Sequence, residues 1–275
     1  MKFQPLRDFL RNNTYLLAFR NEGDNVFDEV GMPTSTILLS KEKKECVWPF
    51  DGNPLILKLK SNHTPLGELC DVQRGLEIGK RAILPEGEIK ILTGSNVKKY
   101  VAKSHSYISL DTLEHFAKDA YYYEGERLVI RETGSELTVI YLDYPIYVNR
   151  SLYTFKRKLE APSVKFLVGC LNSKLLQYFY IEKFKAPTEL FPKIRIGQAK
   201  QLPIPIPSKE QDKTISNIVD SILSSAQNGE IEQSLVDSLN KEIYVVYGLS
   251  YDEVLIIDPE TNITEEEYNC INNNH

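Results

Sequence analysis

Apolar residues recur at helical spacing most clearly near the C-terminal end of this chain. Ile215, Ile218, Val219, Ile222 and Leu223 mark one helix, which Asn228 and Gly229 close. Ile231, Leu235, Leu239, Ile243 and Val246 mark a second, with Gly248 as its stop. Ser208 stands as the N-cap of the first, with Glu210 and Gln211 in the opening turn. Ahead of it, Pro203, Pro205 and Pro207 forbid a helix and cannot all donate to a sheet interior, so the segment is an extended, stiff lead-in. The pattern predicts a strap feeding a helical hairpin, with Leu235, Leu239 and Ile243 facing Ile215, Ile218 and Ile222 along a buried stripe.

Between about residues 63 and 205 strands dominate. They are expected at 81–84, 88–92, 106–108, 127–131, 137–141 and 147–153, with one more at 194–196. Residues 161–181, with Pro162 near their start, read as a helix. At the other end Leu6, Phe9, Leu10, Leu16, Leu17 and Phe19 suit a helix despite the central Asn12, Asn13 and Thr14. Residues 25–40 read as a turn into a strand, 41–45 as a charged linker, and 46–60 as short strands and turns around Trp48, Asp51, Gly52 and Asn53. A mixed, mainly antiparallel sheet with packed helices makes the class α+β.

Composition narrows the classes. At 275 residues the chain can bury a core and form one large or two small domains. Apolar runs such as 166–171 are far short of a membrane span, and no apolar segment near the N-terminus reads as a secretion signal. Cys46, Cys70, Cys170 and Cys270 are scattered and form no CxxC pair, which argues against disulfides or zinc and for the reducing cytoplasm. The net charge of −5 hides a split: residues 206–275 hold three Lys/Arg against 14 Asp/Glu, and residues 150–200 hold 11 against three. A basic body with an acidic tail admits one nucleic-acid-binding face, because local potential, not net charge, attracts phosphates.

The strap and hairpin resemble the end of DNA target-recognition domains in restriction-modification proteins. Those domains finish on a Pro-Ile-Pro strap (here Pro203, Ile204, Pro205), a Glu-Gln helix start (Glu210, Gln211) and a Tyr-Gly-Leu helix end (Tyr247, Gly248, Leu249). Segments 64–80, 91–100, 127–134 and 166–176 follow in the family's order. The match is to the Taq-type, Eco57-like C-terminal specificity domain of adenine methyltransferases and single-chain restriction-modification enzymes, with type I specificity subunits more distant. The helix over 6–19 and the turn and strand over 25–40, with Val26, Phe27, Asp28, Val30, Pro33 and Thr34, together look like the last helix and strand of an adenine methyltransferase catalytic domain. The resemblance implies a remnant of that Rossmann-like domain and a linker over 1–60, a recognition domain over 61–207, and a hairpin with acidic tail over 208–275 acting as spacer or docking surface. It further implies double-stranded DNA as ligand and a methyltransferase or endonuclease region, in cis or trans, as partner. No cofactor is expected in this chain; S-adenosylmethionine and magnesium belong to the catalytic partner.

Catalytic motifs are missing. There is no Pro-Pro pair, so the loop that holds a flipped adenine is absent, and Asn53-Pro54-Leu55 does not replace it. The Gly75 to Gly79 segment lacks the setting of a dinucleotide fingerprint and reads as a loop approaching another backbone closely. Asp71 with Glu88 and Lys90 has the spacing of a magnesium-dependent nuclease, which keeps a divergent nuclease as the alternative; a protein-interaction subunit without DNA contact is the third reading. His63, His105, His115 and His275 make no ligand pattern.

Candidate DNA-binding residues are those with donors at element ends. Arg74, Lys80 and Arg81 flank the two glycines, and Ser95, Asn96, Lys98 and Lys99 share one short segment. Arg131, Thr133 and Ser135 terminate an apolar strand, where Arg131 is placed to read a base edge. Lys156, Arg157 and Lys158, and Lys183 with Lys185, form basic patches suited to phosphates.

Overall fold

The computed structural model describes residues 4–23, 34–42, 53–184, 193–227 and 229–273, which divide into two compact units, Met1–Lys58 and Leu59–His275. In the first, α1 (Gln4–Asn13) leads into β1 (Tyr15–Gly23), which pairs antiparallel with β2 (Thr34–Ser40). The helix expected over 6–19 therefore stops halfway. Asn13 Nδ2 donates to Phe9 O at 2.7 Å and Thr14 Oγ1 to Leu10 O at 2.7 Å, so two short polar side chains satisfy the last carbonyls and release the chain to a strand. The strand expected within 25–40 is present as β2; its preceding motif, from Val26 to Pro33, lies outside the described residues, as do Cys46 and Trp48.

Across the unit boundary runs α2 (Pro54–Asn62), where short strands and turns were expected. Asn53 Oδ1 accepts from Leu55 N at 3.0 Å and Pro54 takes the first helical position, a start signal that outweighs the neighbouring turn residues.

The second unit begins with β3 (Thr64–Pro65), α3 (Leu66–Leu69) and β4 (Cys70–Arg74), then a 3-10 turn at Lys80–Ala82. Next come β5 (Ile89–Leu92), β6 (Val97–Lys98), β7 (Val101–Ala102), β8 (Ser106–Ile108) and α4 (Leu110–Phe116). After a second 3-10 turn follow β9 (Arg127–Arg131), β10 (Val139–Leu142), β11 (Tyr147–Val148) and β12 (Leu152–Arg157). The rest comprises α5 (Val164–Asn172), α6 (Lys174–Phe184), α7 (Ile196–Ala199), β13 (Pro203–Ile204), α8 (Lys209–Gln227), α9 (Gln233–Val246), α10 (Tyr251–Ile257) and α11 (Glu265–Asn273). One antiparallel sheet has the order β10-β9-β12-β4, and a second the order β11-β5-β8 with β11 parallel to β5. Leu76, Ile91, Leu92, Val129, Ile140 and Leu152 pack in one buried cluster drawn from both sheets. The class is α+β. No described helix is long and apolar enough to cross a membrane.

Four sequence expectations are corrected. Residues 81–84 are not a strand: Arg81 and Ala82 end the 3-10 turn, Ile83 caps it, and Leu84 makes an isolated bridge to Tyr107. The strand expected over 147–153 is two strands separated by Asn149, Arg150 and Ser151. The helix over 161–181 breaks at Ser173, whose Oγ donates to Cys170 O at 2.6 Å and accepts from Leu176 N, ending α5 and capping α6. Residues 194–196 are not a strand: Gln198 Oε1 accepts from Arg195 N at 2.7 Å and starts α7.

The strap and hairpin form as expected. Pro203 and Ile204 pair with Pro65 and Thr64, and Tyr247 Oη donates to Pro203 O at 2.9 Å, so the tyrosine ending the hairpin locks the strap that begins it. Ser208 and Gln211 exchange bonds of 2.9 and 3.1 Å in a capping box. The stripe residues Ile215, Val219, Ile222, Leu239 and Ile243 are buried, while Ile218 and Leu235 are half-buried. Helix α5 packs against both hairpin helices. Asp212 accepts from Ser163 N at 2.8 Å, Lys165 pairs with Asp220 at 2.7 Å, and Asn240 Oδ1 accepts from Lys174 N at 2.9 Å, stitching the hairpin to α5 and α6.

Candidate nucleic-acid interface

The turn between β11 and β12 is anchored to three other segments of the chain. Asn149 N donates to Leu92 O at 2.9 Å, and Asn149 Oδ1 accepts from Ser151 N and Oγ. Ser151 Oγ in turn accepts from Gly94 N at 2.8 Å. Arg74 reaches across from β4: its Nε donates to Arg150 O at 2.8 Å and its Nη2 to both Glu132 carboxylate oxygens at 2.9 and 3.1 Å. Glu132 follows β9, so Arg74 ties the end of that strand to the turn. Its Nε and Nη2 hold protein groups, so Arg74 clamps this turn.

Above this turn opens a cleft of about 860 Å³. Lys80, Arg131, Arg150 and Lys193 supply its cations, and Ser95, Ser106, Thr133 and Ser151 line it with hydroxyls. Among the described residues no carboxylate lines it. An antiparallel bridge between Thr133 and Lys193, with Ile194 N donating to Glu132 O at 2.9 Å, fixes Lys193 beside the end of β9. Four cations facing one cavity without an acid repel one another, an arrangement stabilised by an anionic ligand.

Arg131 is the lining cation that ends a strand. It ends β9 opposite Leu152, half-buried. Its Nη1 makes one long bond to Val97 O at 3.4 Å, and its Nε is buried without a hydrogen-bond partner among the described residues. The guanidinium lies against the backbone of Gly134, where an added Cβ would stand 2.6 Å from Nη2. A guanidinium held by packing, with donors to spare, is fitted to accept a ligand's acceptor atoms.

The other sequence candidates fall in different places. Asn96 is buried, its Oδ1 accepting from Thr93 N at 2.8 Å and its Nδ2 donating to Ser104 Oγ at 2.9 Å, so it braces the loop. Ser95 Oγ is 2.8 Å from Thr93 Oγ1. Lys98 and Lys99 line a second cleft of about 540 Å³ that also touches Arg131; Lys99 there pairs with Glu136 at 3.4 Å. Arg81, Ser135 and Lys183 are exposed outside both clefts, and Lys185 lies outside the described residues.

Lys156 and Arg157 end β12 and Lys158 follows it, with Arg157 roughly 17 Å along the strand from Leu152. Lys156 Nζ donates to Glu124 O at 2.6 Å, Arg157 Nη1 to Ala161 O at 2.7 Å, and Lys158 Nζ to Glu68 O at 3.1 Å. Burial and the neighbouring Arg127 hold the Lys156 ammonium below its ordinary pKa. Arg127 itself is fully buried, donates to Gly125, Tyr144 and Ile146 carbonyls, and is pushed down by burial to about 10.

Sequence reasoning missed Arg150 and Lys193. The signal was the basic excess over residues 150–200, which assigned charge to a region but no cation to a cleft. The nuclease pattern is not assembled: Asp71 lies on β4, Glu88 precedes β5 in another sheet, and Glu88 Oε2 accepts from Leu110 N at 3.0 Å. Among the described residues no three His, Cys, Asp or Glu side chains group to hold a metal. Cys70 is buried, and burial pushes its thiol up to about 12, which leaves it no nucleophilic thiolate near neutral pH.

Comparison with known proteins agrees with the motifs. Residues 89–204 match the family described as the TaqI-like C-terminal specificity domain. The solved structure of the Type IIL restriction-modification enzyme MmeI in complex with DNA aligns with a TM-score of 0.54 and 11% identity, over 96% of this chain and 47% of its own, which shows a shared fold. The type I restriction-modification S subunit from M. genitalium aligns at 20% identity and a TM-score of 0.40, over 70% of this chain and 46% of its own. This chain spans less than half the length of these solved proteins. No curated protein matches it.

Proposed function

We propose that this chain is the target-recognition part of a restriction-modification system, gripping duplex DNA for an adenine methyltransferase or endonuclease region carried elsewhere. The carrying observation is the acid-free cleft of Lys80, Arg131, Arg150 and Lys193, the last three of which lie within the residues that match a specificity-domain family. Lys80, Arg150 and Lys193 anchor phosphates; Arg131 reads a base edge, a bidentate fork suiting guanine. S-adenosylmethionine and magnesium act in the partner region, and the compartment is the DNA-containing cytoplasm.

Fluorescence anisotropy on labelled duplexes tests this directly. If Lys80, Arg150 and Lys193 each displace a counterion, they contribute roughly −2.7 to the slope of log K against log salt. Binding that ignores salt overturns the reading. In the reconstituted system Arg131→Ala is expected to lower specific binding by about 1–3 kcal/mol while changing nonspecific binding less. Lys80→Ala is expected to weaken all sequences alike. Identical behaviour of the two variants across a target panel would refute the division into reader and anchors.

The α1–β1–β2 unit is proposed as the closing part of a Rossmann-like methyltransferase domain. A lone two-stranded ribbon is marginal in water, and Leu17, Phe19, Ile37 and Leu38 are exposed. Leu17→Asp with Leu38→Asp is expected to abolish methylation by the reconstituted enzyme and spare duplex binding; unchanged methylation would remove this assignment.

A further inference from the structure

The second cleft is not explained by base reading at Arg131. It lies between the β6–β7 turn and the tip of the α8–α9 hairpin, walled by Lys98, Lys99, Lys103 and Arg131 on one side and by Gly229, Glu230 and Ile231 on the other. Among the described residues two carboxylates line it. Glu136 is already paired with Lys99, which leaves Lys98, Lys103 and Arg131 opposed by Glu230. Lys98 and Lys103 are exposed, and their ammonium groups make no ion pair or hydrogen bond among the described residues. The turn presenting them is fixed. Tyr100 is buried, its N donates to Val139 O at 2.9 Å, and its φ of 69° is a left-handed conformation that costs a bulky residue energy. Strain held in place by burial marks a turn whose shape is maintained.

We propose that this cleft is a second phosphodiester-binding subsite, continuous with the acid-free cleft through their shared wall, Arg131. A duplex read at Arg131 then runs its backbone past Lys98 and Lys103 and against the hairpin tip. The hairpin is thereby part of the DNA surface as well as a brace, and Glu230 is the acid that moderates nonspecific affinity there. This inference rests on the DNA-recognition reading above.

The test measures duplex affinity of the full chain against salt for wild type, Lys98→Ala/Lys103→Ala, Glu230→Lys and a control, Lys209→Ala/Lys213→Ala. The control removes the same charge from exposed positions at the start of α8. All substituted residues are exposed, and thermal melting verifies that each variant folds. The slope is expected to fall by about 1.8 in the cleft variant, two lost contacts at ~0.9 each, and by much less in the control. Glu230→Lys is expected to tighten nonspecific binding several-fold. Equal slopes for the cleft variant and wild type, or an equal drop in the control, overturn the subsite while the main reading stands. Wild type that binds duplex without salt dependence overturns both.

Discussion

Gly75→Ala is expected to destabilise the second unit by about 3 kcal/mol or more, the upper end of overpacking, and to weaken duplex binding as well. A Cβ at residue 75 would collide with the carbonyl oxygens of Val148 and Asn149 and stand 2.6 Å from Asn149 C. These are backbone atoms, so no rotamer change relieves the clash. The chain cannot back away either. Gly75 N donates to Leu152 O at 3.0 Å, Leu76 N to Val148 O and Arg150 N to Leu76 O at 2.8 Å, and Lys118 Nζ holds the Arg74 and Gly75 carbonyls at 2.9 Å. Relief must come from moving Asn149 to Ser151, the turn that aims Arg150 into the acid-free cleft. Gly79→Ala is the control, because open space surrounds that position and its φ of −78° is ordinary. Urea unfolding and duplex anisotropy on both variants read the two effects. A Gly75→Ala protein that unfolds with wild-type midpoint would show that the two backbones can separate cheaply.

That contrast shows what a single sequence carries. The stretch from Gly75 to Gly79 reads as a loop approaching another backbone, and Gly75 fits that reading; Gly79 does not, because spacing alone cannot tell a crowded glycine from a free one. The hairpin was legible because its signals are local: proline geometry, a capping box, a 3.6-residue period and a glycine stop. Strands 106–108 and 127–131 were legible because the β-rich pattern has clear ends. What failed was decided by side-chain hydrogen bonds to nearby backbone. Asn13, Asn53, Ser173 and Gln198 each start or end a helix that apolar pattern alone misplaced.

The candidate cleft was only partly legible in the sequence for a related reason. Sequence identifies which residues own donors but not which donors are already engaged. Arg74 and Asn96 have the right chemistry, and Glu132, Thr93 and Ser104 occupy it. Arg150 and Lys193 look like ordinary surface cations until the anchored turn and the bridge to Thr133 bring them to one cavity with Arg131. Tertiary partners, not residue type, separate clamp from contact.

Leu239→Ala is expected to cost about 2–5 kcal/mol, toward the upper half of that range. Leu239 is fully buried, and its Cδ1 lies 3.2 Å from where a Gly169 Cβ would be, beside Ile215 and Val219 at 3.1 Å. How far the surroundings collapse into a vacated leucine site sets the cost. Here they are held back: the Ser163–Asp212, Lys165–Asp220 and Lys174–Asn240 contacts fix α5 and α6 against the hairpin. Gly169→Ala alone is expected to cost about 1–3 kcal/mol, because its methyl meets three buried side chains. In the double variant that methyl enters the space Leu239 leaves, so the combined loss falls short of the sum by at least ~0.5 kcal/mol. Denaturant unfolding of the two single variants and the double reads this coupling. Strict additivity would place Leu239 away from Gly169. A Leu239→Ala protein that melts like wild type would place the stripe in solvent, making the hairpin an open docking face instead of the brace that holds α5 against β9 and β10.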